Sequence, residues 1–335
     1  MTNEENLDLL YLNRPVMRPT AKTWVRHLIL LAVTFCTATV AGLIYPFGHA
    51  AFLDNFDPQS VGEFLQLPLW YVAGITDAVT KAFTTQPQDL VYGVTFSASL
   101  LLILISHEMG HYLMCRRYRV DATLPFFIPT PPMVGPAGTF GAFIKILSPM
   151  PSRKAVFDIG VAGPIAGFIA LIPIAIAGLL TMEPANPKVI SEGLVFSDPL
   201  FMKLSGMLVG HDPATSYGNA FYYAAWIGLL VTALNLIPSG QLDGGHAIYA
   251  VFGERVHRWT GRIAFPLMAV LSVVGLIVYG SPSGFLVAVI LAVMMRIKHP
   301  QPWDMTPLDA KRKAVALLTL VIFALCFVPF PIQIN

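Results

Sequence analysis

The stretch LVYGVTFSASLLLILISHEMGHYLMC, residues 90–115, carries no Asp, Glu, Lys or Arg before Glu108. It is long enough to cross a bilayer as a helix, the only open-chain form that satisfies its own backbone hydrogen bonds in lipid. Similar uncharged runs occupy residues 28–47, 159–182, 220–237 and 314–334. A further run, 263–295, is uncharged but broken by Gly280-Ser281-Pro282-Ser283-Gly284, which predicts a tight hairpin of two short spans. The expected architecture is therefore an all-α polytopic membrane protein with about seven transmembrane helices. Composition agrees, because only 12% of the 335 residues are charged and 55% are hydrophobic, with a mean hydropathy of +0.65. A soluble globule carries about a quarter charged residues, so a soluble enzyme, a disordered chain and a secreted disulfide scaffold are excluded. Cys36, Cys115 and Cys326 lie far apart in or beside apolar runs and predict no disulfide framework.

Sidedness follows from the loops. With 21 Lys and Arg against 19 Asp and Glu, no bulk basic field for nucleic acid exists. Placing the N-terminus in the cytoplasm puts all of the basic residues on that side except Lys81, Lys188 and Lys203. Residues 64–76 are apolar but too short to cross, and are expected to form an interfacial external segment. Residues 1–13, with Glu4, Glu5 and Asp8, have neither a signal-peptide nor a transit-peptide pattern, so the first span is expected to be an uncleaved anchor. The resulting division is a cytoplasmic segment, 1–27, and one membrane-embedded domain, 28–335. Its expected core is about 90–250, supported by C-terminal helices over 263–335. The preferred location is a prokaryotic cytoplasmic (inner) membrane, with a processed organelle protein as the alternative.

Near the cytoplasmic end of the second span stands His107-Glu108-Met109-Gly110-His111. On a helix, residues four apart share a face, so both imidazoles can meet one zinc ion while Glu108 reaches a water beside it. With eight histidines in the chain, a shuffled sequence would give this motif only about 0.004 times. Ionisable groups at hydrocarbon depth are costly unless paired, which favours function over a histidine pair that merely bonds neighbouring helices. A catalytic zinc site needs a third protein ligand and one open position. Asp243 qualifies, because the fourth span ends at the same face as Asn235-Leu236-Ile237-Pro238-Ser239-Gly240-Gln241-Leu242-Asp243-Gly244-Gly245-His246. Taken alone, Asp243 would read as a turn residue or N-cap. His246 is a weaker ligand candidate, and Asp158 reads as a solvated charge or helix N-terminal acid.

These two motifs resemble those of the site-2 protease family of intramembrane zinc metalloproteases. The resemblance rests on His107-Glu108-Met109-Gly110-His111 with Asn235-Leu236-Ile237-Pro238 and Leu242-Asp243-Gly244. It implies His107, His111 and Asp243 as ligands of one Zn2+ per chain, Glu108 as general base, and Asn235 as a group that positions substrate or stabilises the transition state. The implied reaction is endoproteolysis of a transmembrane helix in a single-pass membrane protein within the lipid bilayer. External loops of about 48–89 and 183–218 leave no room for the PDZ or paired CBS modules that many family members carry.

Residues 122–144 join the second and third spans without a charge but with five prolines, so a regular helix is excluded. Non-helical backbone at that depth survives only against protein or a wet cavity, which predicts a re-entrant segment near the active site able to form a β-hairpin. Gly138, Thr139, Phe140 and Gly141 begin the proline-free part that could offer a strand edge to substrate, as the family's membrane-associated hairpin implies. The alternative is a plain linker. Gly163 and Gly167 form a small-xxx-small pattern read as helix packing. Two rival functions fit the pattern less well. A metal transporter would spread polar residues over several spans, and a membrane metalloprotease acting on soluble or prenylated peptides more often recruits a glutamate as third ligand.

Overall fold

In a computed structural model that describes residues 17–50, 58–185, 194–296 and 301–334, the apolar runs are helices. Arg14, Lys188 and Lys298 of the charge tally, and residues 1–13, lie outside the described residues. The helices used below are α1 Ala21–Leu43, α2 Leu67–Thr84, α3 Pro87–Arg117, α4 Arg153–Leu180, α5 Leu200–Val209, α6 Ala220–Leu236, α7 Asp243–Phe252, α8 Glu254–Tyr279, α9 Ser283–Met294 and α10 Ala310–Cys326. Their starts follow local chemistry. Thr20, Ser152, Asn219 and Asp309 each accept a backbone N–H of the first turn of α1, α4, α6 and α10.

Among the described residues, four helices are long and apolar enough to cross a membrane: α1, α3, α4 and α8. The remaining candidates for the expected seven are shorter, with 17 residues in α6 and α10 and 12 in α9. At 1.5 Å per residue, α9 covers only about 18 Å. The break at residues 280–282 stands where the glycine and proline predict it, with Gly280 in the left-handed region at φ 62°. The two arms are unequal, however, because α8 runs back across Arg262, Arg258 and Arg255 to Glu254 and reaches 26 residues. A charge-free window therefore undercounts a helix whose basic end projects from the lipid. Likewise α2 continues past residue 76 through Asp77 and Lys81, which pair at 2.7 Å, while Leu69 and Val72 remain exposed.

The core is the packing of α3, α4 and α6, where Phe96, Leu100, Leu171, Ala175 and Leu229 are fully buried. Lipid is as apolar as leucine, so this association depends on close van der Waals contact and small residues. The 122–144 link forms a two-stranded antiparallel ladder, β1 Phe126–Pro129 against β2 Thr139–Phe143, in the register Phe126↔Phe143 and Phe127↔Ala142. Backbone bonds from Thr123 N to Lys145 O and from Leu147 N to Asp121 O extend it. The ladder rests on α1, where His27 Nδ1 donates to Pro125 O, just before β1, and Thr37 donates to Gly138 O, just before β2, each at 2.8 Å.

Asp158 departs from its expected role as a solvated charge. Arg312, the third residue of α10, donates from Nε and Nη2 to the two Asp158 oxygens at 2.9 and 2.7 Å, and Tyr118 donates its hydroxyl to Asp158. Burial and the neighbouring carboxylate raise the Tyr118 pKa. The three residues tie the end of α3, the second turn of α4 and the start of α10. Nothing local could reveal this, because Arg312 lies 154 residues from Asp158 in sequence.

Candidate metal centre

The regular helix α3 brings His107 and His111 to one face, both buried, with their Nε2 atoms 3.2 Å apart. Asp243, the first residue of α7, places Oδ2 3.3 Å from each of them. His111 Nδ1 lies 2.7 Å from Ile159 O. A carbonyl can only accept, so Nδ1 carries the proton and Nε2 presents a lone pair to the cluster. A carboxylate oxygen and the Nε2 atoms of two imidazoles thus converge, and with both rings neutral and protonated at Nδ1 they form a donor set that suits a cation. Its dimensions suit zinc. Ligand bonds of about 2.0–2.1 Å in a tetrahedron give ligand–ligand edges of about 3.3–3.4 Å, and the observed edges are 3.2, 3.3 and 3.3 Å. A zinc held there would have three protein ligands and a fourth position for water, as in catalytic sites. Asp243 also sits at a helix N-terminus, where the macrodipole favours negative charge.

Two glycines allow the close approach. A Cβ on Gly163 of α4 would lie 2.1 Å from His111 Nε2, so α4 reaches the ligand ring only as bare backbone. A Cβ on Gly244 would lie 2.0 Å from Leu236 O, which lets α7 fold back under the end of α6. Between them, Pro238 ends α6 and Gly240 turns at φ 57°.

A cavity of about 570 Å³ opens onto the centre. Glu108 lines it, is buried, and faces the Ile144 backbone N–H. Asn235 also lines it, with Nδ2 3.3 Å from His107 Nε2. The opposite wall is the chain from Ala142 to Ile146, the end of β2 and its continuation.

Residues 95–279, a span from early α3 to the end of α8, match peptidase family M50. The chain belongs to this family. It is the same family, the site-2 proteases, that the two motifs resemble. The chain is 32% identical over 326 residues to a protein of Arabidopsis thaliana named probable zinc metalloprotease EGY1, chloroplastic, which covers 95% of this chain and 56% of that protein. The EGY1 protein of Oryza sativa subsp. japonica is 29% identical over 255 residues, 74% of this chain and 41% of its own. An Arabidopsis protein named EGY2 is 28% identical over 236 residues, 69% and 40% respectively. The chain thus spans about half the length of these relatives. Their names place them in chloroplasts, so the expectation of a prokaryotic cytoplasmic membrane draws no support from them.

Within the M50 core, His107, His111 and Asp243 come together, with Glu108 and Asn235 beside them. His246 lines the cavity but is not one of the three converging ligands, and its Cβ lies against Gly160. Residues 138–141 do not line the cavity. The Gly138 carbonyl is bonded to Thr37 and the Thr139 hydroxyl to Ile128 O, so the strand meets the site further on, from residue 142. Sequence reasoning missed Lys145, which was counted only for sidedness yet lines the cavity, and it read Gly163 as a packing residue although it touches a ligand.

Proposed function

We propose that this chain is an intramembrane zinc metalloendopeptidase that cuts a transmembrane helix, or its juxtamembrane end, in a single-pass membrane protein. The observation that carries the proposal is the triangle of His107, His111 and Asp243, two buried imidazoles and a half-buried carboxylate, with Glu108 at its side, facing a cavity walled by the end of strand β2. His107, His111 and Asp243 would hold one zinc. Bound there, zinc supplies Lewis-acid polarisation of the scissile carbonyl and makes water acidic near neutral pH.

The chain's own residues do the rest. Glu108 accepts the proton of the attacking water and passes it to the departing amine nitrogen. Asn235 directs its amide N–H toward the substrate backbone or the developing oxyanion. A helical substrate hides its carbonyls in its own hydrogen bonds, so it must unwind before attack, and the edge of the re-entrant ladder offers the freed segment replacement partners. In the membrane, α6, α9 and α10 act as the further crossings, the 12-residue α9 where the bilayer thins around it, with the metal centre near the face that carries most of the Lys and Arg. The start of α1 lies on that face, which is the cytoplasmic one in a prokaryotic membrane.

The test is cleavage of a doubly tagged single-pass substrate co-reconstituted in vesicles. Two metal-dependent fragments from the wild type and none from Glu108→Gln are expected. Metal-loaded wild type that leaves a panel of helix-broken substrates intact would contradict the proposal.

A further inference from the structure

The ligand Asp243 stands on a helix of only ten residues, entered through a broken turn. Its carboxylate reaches the site on a short side chain, and metal coordination tolerates errors of about 0.2 Å in ligand distance. The whole of α7 must therefore be held, and two residues outside the metal centre grip it at opposite ends. At its C-terminal end, Arg153 of α4 donates from Nε to Ala250 O at 2.6 Å and from Nη2 to Val251 O at 3.1 Å. These belong to the last turn, whose carbonyls have no partner within a helix, and a cation there also complements the macrodipole. At the other end, buried His257 of α8 lies with Nε2 2.9 Å from Gly240 O, three residues before Asp243. The carbonyl can only accept, so His257 donates. The same ring packs edge-on against Tyr249, in the middle of α7, at 5.9 Å. Two independent elements thus fix one short helix at both ends.

We propose that Arg153 and His257 are positioning residues for the metal, acting through Asp243 and touching neither metal nor substrate. The proposal rests on the metal-centre reading above. Arg153 sets the tilt of α7 from its far end, and His257 sets the turn that delivers Asp243. Losing either donor leaves the His107–His111 pair on α3 intact and lets the carboxylate drift. The expected loss is that of an outer-shell partner, about 10–100-fold in metal affinity.

The experiment is Co2+ titration of the full chain in detergent, following the visible ligand-field bands, for wild type, Arg153→Gln, His257→Ala and His257→Gln, each also combined with Asp243→Ala. Arg153→Gln and His257→Ala should bind Co2+ about 10–100-fold more weakly and show the spectrum of Asp243→Ala. His257→Gln, which keeps an N–H near the Nε2 position, should recover wild-type binding. In the Asp243→Ala background neither substitution should weaken binding further, because residues acting through one group are non-additive. Should Arg153→Gln lose helix content, Arg153→Lys takes its place, with an intermediate affinity expected. Wild-type affinity and spectrum in the single variants, or an equal further loss in the Asp243→Ala background, overturns the clamp alone. A wild type that binds no Co2+ overturns the metal centre and the clamp with it.

Discussion

The two ligand-bearing segments reach the same point in opposite ways. Helix α3 is 31 residues of regular backbone, and its two histidines face one way because of the helical repeat alone. Helix α7 follows a proline, a left-handed glycine and a turn, and Asp243 arrives only because distant parts of the chain hold it. Local periodicity specifies a pair of ligands. The third must come from tertiary structure, and it carries the negative charge that a cation site needs.

Substitutions can break or sharpen that contrast. The most severe is Gly163→Ala, since its Cβ would lie 2.1 Å from His111 Nε2. The variant should lose both zinc and cleavage and fall about 1–3 kcal/mol in stability, read by metal analysis and thermal melting. If zinc survives, α3 is more autonomous than argued. Next is Glu108→Gln, where cleavage should fall by about 10²–10⁴-fold with zinc retained, separating the base from the ligands on the same helix. Gly244→Ala acts on the other segment. Its Cβ would meet Leu236 O at 2.0 Å, so zinc affinity measured by competition with a chelator should drop about 10–100-fold through displacement of Asp243. The smallest effect expected is from Arg312→Ala, which leaves Asp158 without its cation at a half-buried site. A loss of about 1–2 kcal/mol in thermal stability, with zinc stoichiometry unchanged, would place this tie in the scaffold rather than the centre.

What was legible in the sequence follows the same division. The apolar runs, the break at 280–282 and the HExxH helix are local, and each stands where the residues put it. Asp243 was legible from the expected sidedness of its span together with the resemblance carried by Leu242-Asp243-Gly244. Helix lengths were less readable, since charged ends such as Arg255 to Arg262 extend α8 beyond its apolar window. Long-range pairs were invisible. Arg312 with Asp158, Arg153 with the α7 carbonyls and His257 with Gly240 join residues from 17 to 154 positions apart. The register of the 122–144 link was likewise hidden, because Gly138 and Thr139 form bonds within the scaffold while residues 142–146 face the cavity.

The most direct measurement is zinc per chain in the detergent-purified protein, with His111→Ala and Asp243→Ala alongside. About one zinc in the wild type, lost or strongly weakened in both variants, is the result expected if α3 and α7 together make the centre. A wild type with no zinc, or an Asp243→Ala variant that keeps it undiminished, would contradict the account.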